Sequence, residues 1–194
     1  MAEKYRNKYR ISSTRLQNWD YRWNGAYFIT ICTKNREHYF GEIVDGKMAL
    51  SNIGVIADIL WYEIKYHTNN VETGAFAVMP NHIHGIIILK NDFINDLKND
   101  DVIPVETSHA TSLREPLSKN EFMSSISPKS NSVSSIIGSY KSAVTKHAHR
   151  LGYDFAWQSR FYDHIIRNEK SFNNISQYII NNPVNWKNDD LNKK

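Results

Sequence analysis

Only one cysteine, Cys32, occurs among the 194 residues, so no disulfide can close within the chain, which suits a reducing compartment. Nor does a lone thiol give any ground for thiol catalysis. No stretch approaches the roughly 20 consecutive apolar residues that a membrane helix needs. The first residues, with Lys4, Arg6, Lys8 and Arg10, leave no apolar core for a signal peptide. We therefore expect a soluble, cytoplasmic protein with no membrane partner. Internal repeats are also lacking. What is present is ordinary for a globular domain: 41% apolar and 23% charged residues, in a chain long enough to bury one core unaided.

A net charge of +4 decides little, but its distribution is uneven. Residues 1–36 hold eight Lys or Arg against Glu3 and Asp20, a local excess of +6, whereas residues 91–130 hold seven acids against four bases. Tyr5, Tyr9, Trp19, Tyr21 and Trp23 are interleaved with the N-terminal cations. Cations with stacking aromatics are the ingredients of a single-stranded nucleic-acid groove. The same composition also suits a solvated arm over residues 1–24. Residues 25–194 read as one domain, with a mobile insertion at about 91–130 that is rich in Asn, Asp, Ser and Pro.

Ala26–Thr33 is β-branched and aromatic and predicts a buried strand. A short hairpin follows around Asp45-Gly46. Ser51 or Asn52 can cap a helix running to about His67, with Ile53, Ile56, Ile59, Leu60 and Ile64 as its stripe. Strands are predicted from Ala75 and from His82 to Leu89, joined at Pro80-Asn81. A second helix runs from about Val133 to His149, ended by Gly152. Trp157–Ile166 reads as extended. A third helix, Glu169–Ile180, is closed by Asn181-Asn182-Pro183. This order suits an α+β, ferredoxin-like split β-α-β palm: an antiparallel sheet with helices on one face, plus a C-terminal helix.

The strand predicted from His82 to Leu89 opens on His82-Ile83-His84. On a strand, alternate side chains share a face, so both imidazoles project together. Two neutral imidazoles at that spacing make half of a divalent-metal site. The plainer alternative is one core histidine bonded to a carbonyl and one exposed. A cation held there would polarise a phosphoryl oxygen and would need a nucleophile. Tyr140 lies on the helix face directed at the sheet, as does His147 two turns on. Tyr140 there is either a core residue or an activated phenol, and His147 either a further ligand or a proton acceptor.

The run Met79-Pro80-Asn81-His82-Ile83-His84 resembles the HUH motif of the single-tyrosine transposases, and most closely the REP-associated tyrosine transposase-like group. The likeness extends through Gly25–Thr33, Phe40–Ile43, Ile137–Thr145, Trp157–Asn168 and Tyr178–Pro183, in family order over about residues 10–186. It implies an enzyme that nicks and joins single-stranded or hairpin DNA through a 5′-phosphotyrosine. It also implies Mg²⁺ or Mn²⁺ on His82 and His84, with Tyr140 as the nucleophile and His147 or water as a further ligand. Arg10, Arg15, Lys34, Arg36, Lys141, Arg160 and Arg167 are the expected DNA contacts, in a monomer or homodimer. The chain departs from the insertion-sequence pattern at Val144, where a glutamine ligand is expected four residues after the nucleophile. That departure leaves open a catalytically silent, domesticated hairpin-binding protein of the same fold. A histidine-triad hydrolase would need histidine at Ile86, and a two-histidine phosphodiesterase would need a second His-x-Ser/Thr copy.

Overall fold

Two adjacent strands buried along most of their length form the centre of the main four-stranded sheet. The computed structural model describes residues 4–5, 8–9, 19–68, 70–91 and 128–192. Two short strands, β1 (Lys4–Tyr5) and β2 (Lys8–Tyr9), pair with each other. The central strand β3 (Gly25–Cys32) is followed by the hairpin β4 (Gly41–Val44) and β5 (Lys47–Leu50). Then come α1 (Asn52–His67), β6 (Val71–Met79), β7 (His82–Leu89), α2 (Val133–Arg150), β8 (Tyr162–Ile166) and α3 (Glu169–Asn185).

The main sheet has the order β6-β7-β3-β8 and is antiparallel at every pairing. With β7 inserted between β3 and β6, this is the split β-α-β arrangement expected from the sequence. The hairpin turns at Asp45 and Gly46, both at positive φ (49° and 72°), as a two-residue connection requires. Ser51 caps α1 by accepting from the Gly54 N–H, and Ser132 with Ser135 forms a reciprocal capping box on α2.

Parity assigns each side chain to a face. Tyr27, Ile29, Ile31, Ile83 and Ile87 pack against α1 and α2 in the larger core. Phe28, Ile86 and Ile88 point the other way, where Phe172, Ile175 and Ile179 of α3 cover them. The expectation of helices on one face is thus refined: the C-terminal helix lies on the opposite face from α1 and α2. It also continues past Pro183 to Asn185, because a proline in the last turn forfeits one backbone donor without breaking the rest. The extended segment expected from Trp157 becomes a strand only at Tyr162; before it, Trp157 makes a single bridge to Thr33.

Of the expected arm, Trp19 and Tyr21 pack against the larger core, and Trp19 Nε1 donates to Tyr27 Oη at 3.1 Å. The expected insertion falls almost wholly outside the described residues.

Gly85 is where this architecture is tightest. A Cβ there would stand 2.6 Å from Cη2 and 2.9 Å from Cε2 of Trp61. That indole cannot retreat, because it is fully buried and stacked on Phe76 at 4.6 Å. Gly85→Ala should therefore destabilise the fold by about 3 kcal/mol, as overpacking does, read as a lowered urea midpoint.

Candidate active site

His82 and His84 begin β7 and occupy the face covered by α3. Both are buried, at 0% and 2% exposure, and their Nε2 atoms converge to 3.0 Å. The other ring nitrogens are tied down. His82 Nδ1 lies 2.8 Å from Asn81 Oδ1, while Asn81 Nδ2 donates to the Leu191 carbonyl at 2.8 Å. An amide oxygen can only accept, so His82 Nδ1 carries the proton and Nε2 presents a lone pair. His84 Nδ1 lies 2.9 Å from Thr30 Oγ1, a hydroxyl that can donate or accept. It thereby satisfies either tautomer of His84: one shares a proton between the two Nε2 atoms, the other aims both lone pairs at one point. Burial holds both rings neutral. The His84 pKa falls to about 4 by desolvation, opposed by the Asp189 carboxylate, and that of His82 is held well below the ordinary imidazole value by burial, helped by His84 and Arg36.

A third ligand atom comes from an element that the sequence reading did not connect with the site. Beyond α3, the turn at Trp186–Asn188 returns the chain so that Asp189 Oδ2 stands 3.9 Å from His82 Nε2. Asn182 Nδ2 holds that oxygen at 3.0 Å, and the Leu191 N–H holds the other at 2.7 Å. One ligand atom each from His82, His84 and Asp189 falls within a 4.8 Å cluster. Asn182 is itself 2% exposed, and its Oδ1 is buried without a hydrogen-bond partner among the described residues. Two convergent imidazoles and a carboxylate, with an orphaned buried acceptor on the Asn182 side chain that bonds that carboxylate, fit a divalent cation of mixed nitrogen and oxygen preference.

Thr30 tests this geometry without touching the ligand atoms. Thr30→Val removes the hydrogen-bond partner that fixes the orientation of the His84 ring, so divalent-metal affinity should fall roughly 10-fold or more, measured by titration calorimetry with Mn²⁺.

Tyr140 does not reach this cluster. It lies on the opposite face of the sheet, 3% exposed, donating from Oη to the Ala57 carbonyl at 2.8 Å with its ring edge-on to Trp61. Burial, with a smaller effect of Asp58, raises its pKa well above the usual phenol value. The expectation that Tyr140 stands beneath the metal is corrected for this reason: odd positions of β7 face α2, and the histidines are even. His147 shares the side of Tyr140 and is absent from the ligand cluster. The phenol that is present is Tyr178, on α3. Its Oη lies 3.3 Å from His84 Nε2, its ring packs at 5.3 Å from that imidazole, and it is 48% exposed. Burial and Asp189 raise its pKa, while a bond from Asn182 lowers it.

The expected DNA contacts divide. Arg10 and Arg15 lie outside the described residues. Lys34 is exposed at the histidine end of the sheet, where its N–H donates to the Ala156 carbonyl. Arg36 donates to the Asp190 carbonyl at 3.3 Å, and Lys141 Nζ to that of Gln158 at 2.6 Å. Arg160 is exposed beside that segment. Arg167 follows Ile166, which pairs with Ala26, so it stands at the far end of the sheet from His82.

Tyr178, Asn182, Asp189 and Thr30 were all missed by the sequence reading. A signal existed for the first two. Residues i and i+4 share a helix face, and an amide four residues after a tyrosine occurs at Tyr178 and Asn182, whereas Tyr140 is followed by Val144.

No protein-family model matches the sequence. A Haemophilus influenzae protein of uncharacterised function is 37% identical over 180 residues, spanning 92% of this chain and 91% of that one. Among solved structures, a REP-associated tyrosine transposase bound to a REP hairpin superposes with a TM-score of 0.54 and 21% identity. The match covers 91% of this chain and 74% of that one.

Proposed function

This chain belongs to one family with the Haemophilus influenzae protein and has the fold of the REP-associated tyrosine transposase, and we propose that it is a metal-dependent DNA transesterase. The observation that carries the reading is the convergence of His82 Nε2, His84 Nε2, an Asp189 oxygen and the Tyr178 hydroxyl at one point. His82, His84, Asp189 and the Asn182 Oδ1 would hold Mg²⁺ or Mn²⁺. That ion, when bound, supplies Lewis-acid polarisation of a phosphoryl oxygen. Tyr178 Oη attacks the phosphorus of a DNA phosphodiester; the Oη–P bond forms as the P–O3′ bond breaks. The phenolic proton is lost and the departing 3′ oxygen takes one up, so no net proton is consumed. A 5′-phosphotyrosine link and a free 3′-hydroxyl remain, and attack by a new 3′-hydroxyl reverses the step. Arg36 and Lys34, at the same end of the sheet, supply positive charge for the strand.

The silent hairpin-binding alternative rested on Val144. Counted from Tyr178, the fourth residue is Asn182, a polar amide, which favours the transesterase reading.

The test is incubation with a hairpin oligonucleotide carrying single-stranded flanks, with Mn²⁺, followed by a denaturing gel. Trypsin releases residues 171–187, in which Tyr178 is the sole tyrosine, so a nucleotide-bearing peptide there supports the assignment. An adduct on the peptide containing Tyr140, or no adduct, sinks it.

A further inference from the structure

We propose that the outer face of α2 is a track for the phosphate backbone of duplex DNA, the stem of the hairpin on which the reading above rests. The 18 residues of α2 include no Asp or Glu, but three cations, Lys141, Lys146 and Arg150. Its solvent face carries Gly138, Ser139, Ser142 and Lys146, all exposed. Two open depressions follow that face. One, of roughly 560 Å³, runs from Pro128 past Ser134 and Gly138 to Lys146. The other, of roughly 470 Å³, shares Ser142 and Lys146 and extends to Gln158 and Ser159. Among the described residues no acid lines either one.

The track leads toward the candidate active site. Gln158 donates its N–H to the Cys32 carbonyl at 2.9 Å, and Cys32 is the cross-strand partner of His82. From Ser134 to Lys146 the helix rises about 18 Å, close to five nucleotide steps of one strand at about 3.4 Å each. Hydroxyls and lysines are phosphate ligands that read no sequence. Single strands are held by stacking on aromatic rings, and among the described residues the only aromatic ring lining these depressions is that of Trp157, at one end. Charge, small side chains and the want of stacking surface together select a duplex backbone.

Two substitutions test this in the full-length protein without touching the histidines, Tyr178 or Lys141. Gly138→Glu places a charged side chain in the track where a Cβ meets nothing within 4 Å. It also replaces a poor helix former, so the melting temperature should hold or rise. Lys146→Glu reverses the shared cation. We expect each to weaken hairpin binding about 10-fold in anisotropy titrations, and to lower the salt dependence by about one phosphate contact. Affinity for an unpaired oligonucleotide of equal length should stay unchanged. Hairpin affinity within twofold of the parent overturns the track, and equal losses for hairpin and unpaired DNA overturn its assignment to duplex. Selective hairpin loss in the variants of a protein that forms no adduct would uphold the track while sinking the transesterase.

Discussion

Tyr178→Phe should abolish DNA cleavage, with a loss on the order of 10⁴-fold or more, the scale on which removing an enzyme's nucleophile acts. The change deletes one hydroxyl from a half-exposed ring, so folding, metal affinity and hairpin affinity should be retained. Tyr140→Phe is the matched control. It deletes a hydroxyl that donates to the Ala57 carbonyl in the larger core, which should cost about 1 kcal/mol of stability and leave the cleavage rate unchanged. Single-turnover cleavage and urea melts of the two variants give opposite patterns. If Tyr140→Phe is the inactive one while folded, the face assignment drawn from strand parity is wrong.

His82→Ala should remove metal dependence altogether. In the parent, Mn²⁺ at about 100 times its Kd should stabilise the fold by about 2.7 kcal/mol, and this increment should vanish in the variant together with cleavage. Without metal the variant is also weaker, because Asn81 Oδ1 loses its donor in a buried site, a cost of about 1–3 kcal/mol. The two effects separate cleanly: one is the difference between melts with and without Mn²⁺, the other a shift in both. Hairpin affinity should persist, since contacts away from the histidines carry it. An undiminished Mn²⁺ increment in the variant would place the cation elsewhere.

The palm was legible because its signals are local. A β-branched and aromatic run marked β3, alternation of histidine with isoleucine marked the start of β7, Ser51 and Gly152 bounded helices, and Asp45-Gly46 closed a hairpin. The histidine pair was legible for the same reason. The proposed nucleophile Tyr178 was not, because choosing between it and Tyr140 requires knowing which helix covers which face. Helical periodicity says that Tyr140 faces the sheet without saying from which side. An apolar stripe also favours the residue on it, and Tyr140 sits among Ile136, Ile137 and Val144, all in the core. Tyr178 flanks its own stripe of Phe172, Ile175 and Ile179 and so reads as a surface residue. Asp189 was illegible for a different reason: it reaches His82 by a turn after α3 that no periodicity announces.

Asn81 connects three parts of the molecule through one side chain and one carbonyl. Its carbonyl accepts from the Thr33 N–H and hydroxyl, its Oδ1 orients His82, and its Nδ2 holds the Leu191 carbonyl. Docking of the 189–192 segment and ligation at the imidazoles are therefore not independent equilibria. By thermodynamic reciprocity, whatever factor the docked segment contributes to cation affinity, the bound cation returns to the docking of that segment. Ligation chemistry and the order of the last turn rise and fall together, with a single amide as the joint between them.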